Sequence, residues 1–386
     1  MSQQPLIGSL SRTIQNIGDF FNKIAASFNE FWKRWADGMT PEALWADFRA
    51  DTQAGYKFYS RDVDWESFQT QKPSHRRLSA FRALAWALLT KLTPARRIFL
   101  LLTMVFVVFV LFSTADSGFN ILIITFALLL LIALELADRV TMKRDLEIAR
   151  DIQSWLVPSS PPSVEGIELA FATRPANTVS GDYYDAFRRD HPAGGERLLL
   201  VVADVAGKSI PAALLMATIQ ASLRSLAASP LSLDELVLGL NRYACANSLA
   251  GSRFTTAFIG EWDHSLCTLR YINAGHNSPI VRRSSGAVER LEAGGLPLGI
   301  MAAGRYESGQ IVLNSGDLLV VFTDGVVEAE NASEAEFGEA RLLASLASLP
   351  SGTANDALQA IFSSVDLFVG RTRQHDDITA LILQVR

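Results

Sequence analysis

Residues 197–216 read RLLLVVADVAGKSIPAALLM. The opening stretch, 197–203, is a β-rich apolar run of the kind that forms a buried strand. Asp204 stands where that strand should turn, Gly207 follows, and positions 210–228 take up helical spacing. Aspartate is depleted inside strands and costly to bury unpaired, so its place at the end of an apolar run is informative. The pattern recurs in GDYYD (181–185), FTDG (322–325) and DDIT (376–379). Four such clusters in one region point to carboxylates gathered around divalent cations.

Further β-rich runs lie at 167–173, 254–262, 266–273, 278–283, 317–323 and 378–385, with helical patterns at 232–249 and 353–370. Strands outnumber helices and are often separated by hairpin-length turns. That spacing predicts antiparallel sheets with helices outside them rather than a doubly wound parallel sheet.

The chemistry follows from the residue types. Mg²⁺ and Mn²⁺ prefer oxygen ligands, commonly one or two carboxylates with several retained waters. Uncompensated carboxylates repel in a partly buried site, and a metal is their natural compensation. Two adjacent ions can share and acidify a water and clamp an in-line phosphoryl displacement. Taken singly, Asp182 could cap a turn after Gly181, and Asp324-Gly325 is also an ordinary turn signal.

In order, GDYYD, DVAGKSIPAALLM, NAGHNSPIV, GLPLGI, FTDGVVEA and DDITALIL resemble the metal-dependent type 2C (PPM) protein phosphatases, most closely the SpoIIE-type bacterial serine phosphatases. The resemblance covers roughly residues 150–386. It implies a four-layer αββα sandwich of two antiparallel sheets and two Mn²⁺ or Mg²⁺ ions. Asp182 would bind one ion, Asp204 would bridge both with the Val205 carbonyl as a further ligand, and Asp324 and Asp376 would complete the sites. Asp377 is the less favoured neighbour, Asp185 and Glu328 are supporting residues, and His276 lies in a block that looks structural. Gly181, Gly207 and Gly325 would give backbone room beside the ions. Eukaryotic members use an early histidine as proton donor and an arginine for phosphate; this sequence has no His between Glu147 and Asp190 and no matching Arg.

Outside that region the chain carries a different signal. Positions 98–115 and 117–134 are uncharged and apolar, separated by Asp116. One helix through both runs would be about 55 Å long against a ~30 Å hydrocarbon core, so two spans with a turn near 113–120 are expected. Lys91, Arg96 and Arg97 precede the first and Arg139, Lys143 and Arg144 follow the second, which puts both flanks and both termini in the cytoplasm. Because almost a hundred residues come first, no cleaved signal peptide is expected. A three-and-four-spaced apolar seam from Ile7 to Trp35 suits self-association, membrane contact or packing within the N-terminal region. Positions 135–156 read as one helix, stopped by Val157-Pro158, and resemble the regulatory helix of the same phosphatase branch.

Charge is divided along the chain. Residues 1–145 hold 17 Lys and Arg against 13 Asp and Glu, and 146–386 hold 18 against 27. The front half suits an anionic bilayer surface and the back half a cation site, while the net charge of −5 offers nothing to nucleic acid. Cys245 and Cys267 have neither zinc nor disulfide spacing and are expected to be buried thiols.

The expected organisation is an N-terminal cytoplasmic helical region (1–95), a transmembrane hairpin (96–134), a linker helix (135–158) and a phosphatase domain (159–386). The expected activity is hydrolysis of phosphoserine or phosphothreonine on a protein partner, by resemblance an anti-sigma-factor antagonist of the partner-switching type. Such a protein would sit at the inner membrane as a homodimer. The rival is an inactive scaffold of the same fold, which would be signalled by loss of a metal carboxylate; none is missing.

Overall fold

The computed structural model describes residues 92–112, 117–247, 253–292, 294–347 and 352–386, with Ser79, Arg82, Ala83, Trp86, Leu89 and Thr90 before them. The seam from Ile7 to Trp35 and most of 39–95 lie outside the described residues. The chain divides into two compact units, Met1–Leu136 and Ala137–Arg386.

In the first unit, α1 (Pro94–Phe112) is followed by α2 (Ser117–Leu156), whose later residues belong to the second unit. Both are long and apolar enough to cross a membrane, with mean hydropathies of 2.3 and 2.6 over an 18-residue stretch of each. Their large apolar side chains, among them Phe109, Leu111, Phe126 and Leu129, point outward, the reverse of a water-soluble helix pair. Arg96 bonds Glu135 at 3.3 Å and the Leu134 carbonyl at 3.0 Å, which sets the start of α1 beside residues 134–135. The helix resumes at Ser117, so Gly118 and Asn120 are helical rather than part of the expected turn. Apolar neighbours beyond them favour continued backbone bonding over an extended loop.

The second unit holds β1 (Ile167–Arg174), β2 (Asp182–Asp190), β3 (Glu196–Val205), α3 (Ile210–Ala227), α4 (Leu233–Ala246), β4 (Thr255–Asp263), β5 (Thr268–Ala274), β6 (Ile280–Arg282), β7 (Val288–Arg290), β8 (Gly309–Val312), β9 (Leu318–Phe322), α5 (Asp324–Val327), α6 (Gly338–Ala347), α7 (Ala354–Val369) and β10 (Ile378–Val385). One sheet runs β1-β10-β9-β6-β7 and the other β2-β3-β4-β5-β8. All ladders are antiparallel.

Period-two alternation builds the layers. Along β3, Leu198, Leu200 and Val202 face the other sheet, where they meet Leu319, Val321, Leu381 and Leu383. Leu199, Val201 and Ala203 face α3 and α4, against Met216, Leu223 and Leu236. Ile378, Ala380 and Ile382 of β10 pack on α6 and α7 through Leu342, Ile361 and Phe362. The result is a helix–sheet–sheet–helix sandwich. Although α3 is also apolar enough to span a bilayer, it buries Ala212, Met216, Ile219, Leu223 and Ala227 in this core and is a structural helix.

Capping is written into the sequence: Ser232 with Glu235 and Thr353 with Asp356 close reciprocal capping boxes at α4 and α7. The cysteine expectation needs correction. Cys245 is half-buried, while Cys267 is exposed with φ 51° in the β4–β5 turn, where the chain reverses at the surface.

Candidate active site

The inter-sheet core changes character at one end of the sandwich. Continuing the inward phase of β3 beyond Val202 gives Asp204, and the inward phase of β2 from Tyr184 back gives Asp182. The two aspartates are direct register partners in the β2–β3 ladder. In the facing sheet the inward phase of β9 leads to Thr323, of β10 to Thr379 and of β1 to Thr173. Thr323 Oγ1 donates to Asp182 Oδ2 at 3.0 Å and accepts from the Thr379 N–H at 3.0 Å. Thr173 and Thr379 join through their hydroxyls at 2.8 Å. A threonine layer therefore separates the apolar core from the carboxylates and locks Asp182.

Asp324 opens the short helix α5, and Asp376 lies just before β10. Their charges converge on Asp204, whose carboxyl is raised to about 7 by burial and then by Asp324, Asp376 and Asp377. Burial and the charge of Asp204 raise Asp182 well above the ordinary carboxylate range. Burial and Asp376 raise Asp324, and Lys208 partly offsets this. The fold thus brings together Asp182, Asp204, Asp324 and Asp376, with Val205 directly after Asp204.

Their neighbours do other things. Asp377 accepts from the N–H groups of Ala176 and Gly181, both at 2.7 Å, and from Ser180 Oγ at 2.8 Å, so it ties down the loop leading into β2. Asp185 lies on the opposite face of β2, fully buried, holding Tyr183 Oη at 2.6 Å and Arg224 through Nε at 2.8 Å and Nη2 at 2.7 Å. Glu328 terminates α5, and its carboxyl is raised by burial and by Asp324. His276 is buried with Nδ1 3.0 Å from Thr256 Oγ1; burial lowers its pKa to about 4 and keeps the ring neutral.

Two groups stand out that the sequence reading did not assign. Lys208 Nζ pairs with Asp376 Oδ2 at 2.9 Å and donates to the His375 carbonyl at 2.8 Å. Gln153 of α2 makes a reciprocal pair with the Ser180 backbone, donating to its carbonyl at 2.7 Å and accepting from its N–H at 2.9 Å. Lys208 sits inside a quoted motif and Gln153 in the expected helix 135–156, but neither carries a local signal of its long-range partner.

Among the described residues, no three His, Cys, Asp or Glu side chains are gathered into a ready-made metal cage. The donor set still fits a hard cation that keeps waters in its shell, since it consists of carboxylates and a peptide carbonyl. Lys208 already stands in as a cation on Asp376. A Cβ on Gly181 would come within 3.2 Å of the Val205 carbonyl oxygen and 3.8 Å of Asp204 Oδ1, so the bare glycine keeps space open beside both donors. Gly325 permits a closer approach: its Cβ would lie 2.0 Å from the Asp377 carbonyl oxygen.

Two helix-flanked antiparallel sheets packed face to face define a domain of the PP2C-type fold. Among solved structures, the fold matches the SiaA-PP2C domain of Pseudomonas aeruginosa with a TM-score of 0.56, at 20% identity over 65% of this chain and 99% of that one. It also matches the PP2C phosphatase domain with a regulatory fragment of SpoIIE from Bacillus subtilis, with a TM-score of 0.50 at 17% identity over 58% and 64% of the two chains.

Residues 194–386 match the family described as Stage II sporulation protein E (SpoIIE), and the chain belongs to that family. It is 31% identical over 245 residues to the phosphoserine phosphatase RsbU of Bacillus subtilis, covering 63% of this chain and 70% of RsbU. It is 29% identical over 277 residues to protein IcfG of Synechocystis sp., covering 65% of this chain but 43% of that protein. Asp182 lies upstream of the family match, so its place in the site rests on its pairing with Asp204.

Proposed function

We propose that this chain is a membrane-anchored, metal-dependent phosphatase acting on phosphoserine or phosphothreonine in a protein partner. The observation that carries the reading is the Asp182–Asp204 cross-strand pair, with the charges of Asp324 and Asp376 converging on it. Asp182, Asp204, Asp324, Asp376 and the Val205 carbonyl would hold two Mn²⁺ or Mg²⁺ ions. When bound, such ions supply Lewis-acid activation of water and of the phosphoryl group. The chain's own residues hold the donors in place: Thr323 orients Asp182, Asp377 fixes the preceding loop, and Gly181 leaves space between ligands.

RsbU's description as a phosphoserine phosphatase supports a phosphoserine substrate, and the family resemblance supports a partner-switching protein of the anti-sigma-factor antagonist type. The outward apolar surfaces of α1 and of the 117–134 part of α2 support a two-span anchor in the inner membrane, with the catalytic domain in the cytoplasm. A homodimer is the proposed assembly.

The test is Mn²⁺-dependent phosphate release from a phosphoserine protein by the full chain in detergent. Asp204→Ala and Asp324→Ala are expected to lower turnover at least about 100-fold, the scale of losing a group that stabilises charge in the transition state. Undiminished turnover in both would sink the site assignment.

A further inference from the structure

The turn joining β3 to α3 has an unusual backbone. Gly207 takes φ 115°, and Ser209, a residue with a side chain, takes φ 66°. Residues held in such sparsely populated conformations are stabilised by their surroundings and concentrate at working sites. Between them Lys208 leaves one sheet and reaches residues His375 and Asp376, which lead into the other. Its ammonium meets the acidic end of the sandwich.

The contact is weakly held. The side chains of Lys208 and Asp376 are 56% and 42% exposed, and an exposed pair of this kind shifts an equilibrium by no more than about fivefold. A divalent cation competing for the same carboxylate oxygen would displace it readily. The ammonium would then remain on a flexible four-carbon stem with three donors to redirect. Beside it opens a cavity of about 330 Å³ whose lining carries five carboxylates, Glu328 and Asp376 among them, against the three cations Lys208, Arg174 and Arg373, an excess of negative charge that repels an incoming phosphate dianion. A cation there offsets that repulsion.

We propose that Lys208 is a tethered counter-ion with two stations. Without divalent metal it neutralises Asp376; once metal takes that carboxylate it turns to the phosphate of the substrate and anchors it. The inference rests on the phosphatase reading above and deepens it, supplying the phosphate-holding cation for which the sequence offered no early arginine.

The test uses the full chain in detergent, with Mn²⁺ and inorganic phosphate as probes. Calorimetry should find Mn²⁺ bound about fivefold more tightly by Lys208→Gln, the equivalent of losing a ~1 kcal/mol competing ion pair. Inorganic phosphate should bind the Mn²⁺-loaded variant about tenfold more weakly, the scale of one charge-assisted hydrogen bond, and KM for a phosphoserine peptide should rise to match. Lys208→Arg keeps the charge and should stay within about threefold of wild type for phosphate. Mn²⁺ affinity unchanged or weakened in Lys208→Gln, or phosphate affinity within about twofold of wild type, overturns the proposal. If the wild type neither binds Mn²⁺ nor releases phosphate, the phosphatase reading itself fails. If it does both and Lys208→Gln matches it, only the role of Lys208 fails.

Discussion

Asp182 and Asp204 face each other across the β2–β3 ladder, like charges in direct register at the open end of the inter-sheet core. Such a pair is destabilising in a sheet and persists here because two strands must deliver both carboxylates to one point. Its cost depends on pH. Burial and the neighbouring carboxylates raise Asp204 from 3.8 to about 7, so between those values the folded state binds more protons than the unfolded chain. Stability from this group is complete below pH 4 and is lost as pH rises through 7. Buried His276, with its pKa lowered to about 4, contributes the opposite slope up to about pH 6.5. The measurement is therefore a difference: metal-free wild type should lose melting temperature relative to Asp204→Asn between pH 4.5 and 8, and Mn²⁺ should reverse the loss. Parallel curves for the two proteins would show that Asp204 carries no such strain.

The opposite faces of β2 separate two aspartates that look alike in GDYYD. Asp185 is fully buried against Arg224 and Tyr183 on the helix side. Removing it leaves the buried Tyr183 hydroxyl without its acceptor and frees the partly exposed Arg224, so Asp185→Ala is expected to cost about 2 kcal/mol in urea unfolding, the scale of leaving a buried donor unpaired. Its Mn²⁺ affinity should stay within about twofold of wild type, since the side chain faces away from the metal donors. A large loss of Mn²⁺ affinity at unchanged stability would reverse that assignment.

Thr323 gives a finer test of the supporting layer. Valine has nearly the same shape but cannot donate to Asp182 Oδ2. Partners that orient metal ligands typically contribute 10–100-fold in metal affinity, so Thr323→Val should weaken Mn²⁺ binding by about that range. The stability cost should be about 2 kcal/mol, because the buried Thr379 N–H also loses its acceptor. Equal Mn²⁺ affinity in the two proteins would mean Asp182 needs no such orientation.

These cases show what the sequence could and could not disclose. Strands β1, β3, β4, β9 and β10 were legible because each is an apolar run closed by turn residues. Strand β2 was hidden because DYYDAFRRD mixes buried Tyr183, Tyr184 and Ala186 with charges whose partners, such as Glu261 for Arg189, lie far along the chain. The acidic positions could be found from their places at run ends. The work of Ser180, Thr323 and Gln153 could not, since it depends on contacts spanning up to 197 residues. Cys267 was misjudged for a related reason: an apolar neighbourhood in sequence says nothing about a left-handed turn that places the thiol outside.

The proposed two-span anchor is tested by fractionation. Full-length protein should stay with membranes in alkaline carbonate, and deleting 94–134 should release it into the soluble fraction. Carbonate extraction of the intact chain would count against the two-span hairpin.

Gln153 offers the sharpest mechanical test within the second unit. Its amide clasps both backbone groups of Ser180, whose hydroxyl in turn accepts from the Asp182 N–H at 3.0 Å and donates to Asp377. The Leu156 carbonyl, at the end of the same helix, accepts from Gln220 of α3 at 3.1 Å. A shift of this helix stretch would therefore be felt two residues from a proposed metal ligand. Gln153→Ala should weaken Mn²⁺ binding about tenfold and lower kcat, as expected of a group that orients ligands from outside the site. Adding saturating Mn²⁺ should restore most of the lost turnover, because the carboxylates themselves remain. A variant that loses only melting temperature, with Mn²⁺ affinity intact, would reduce Gln153 to a packing contact and remove the helix from control of the site.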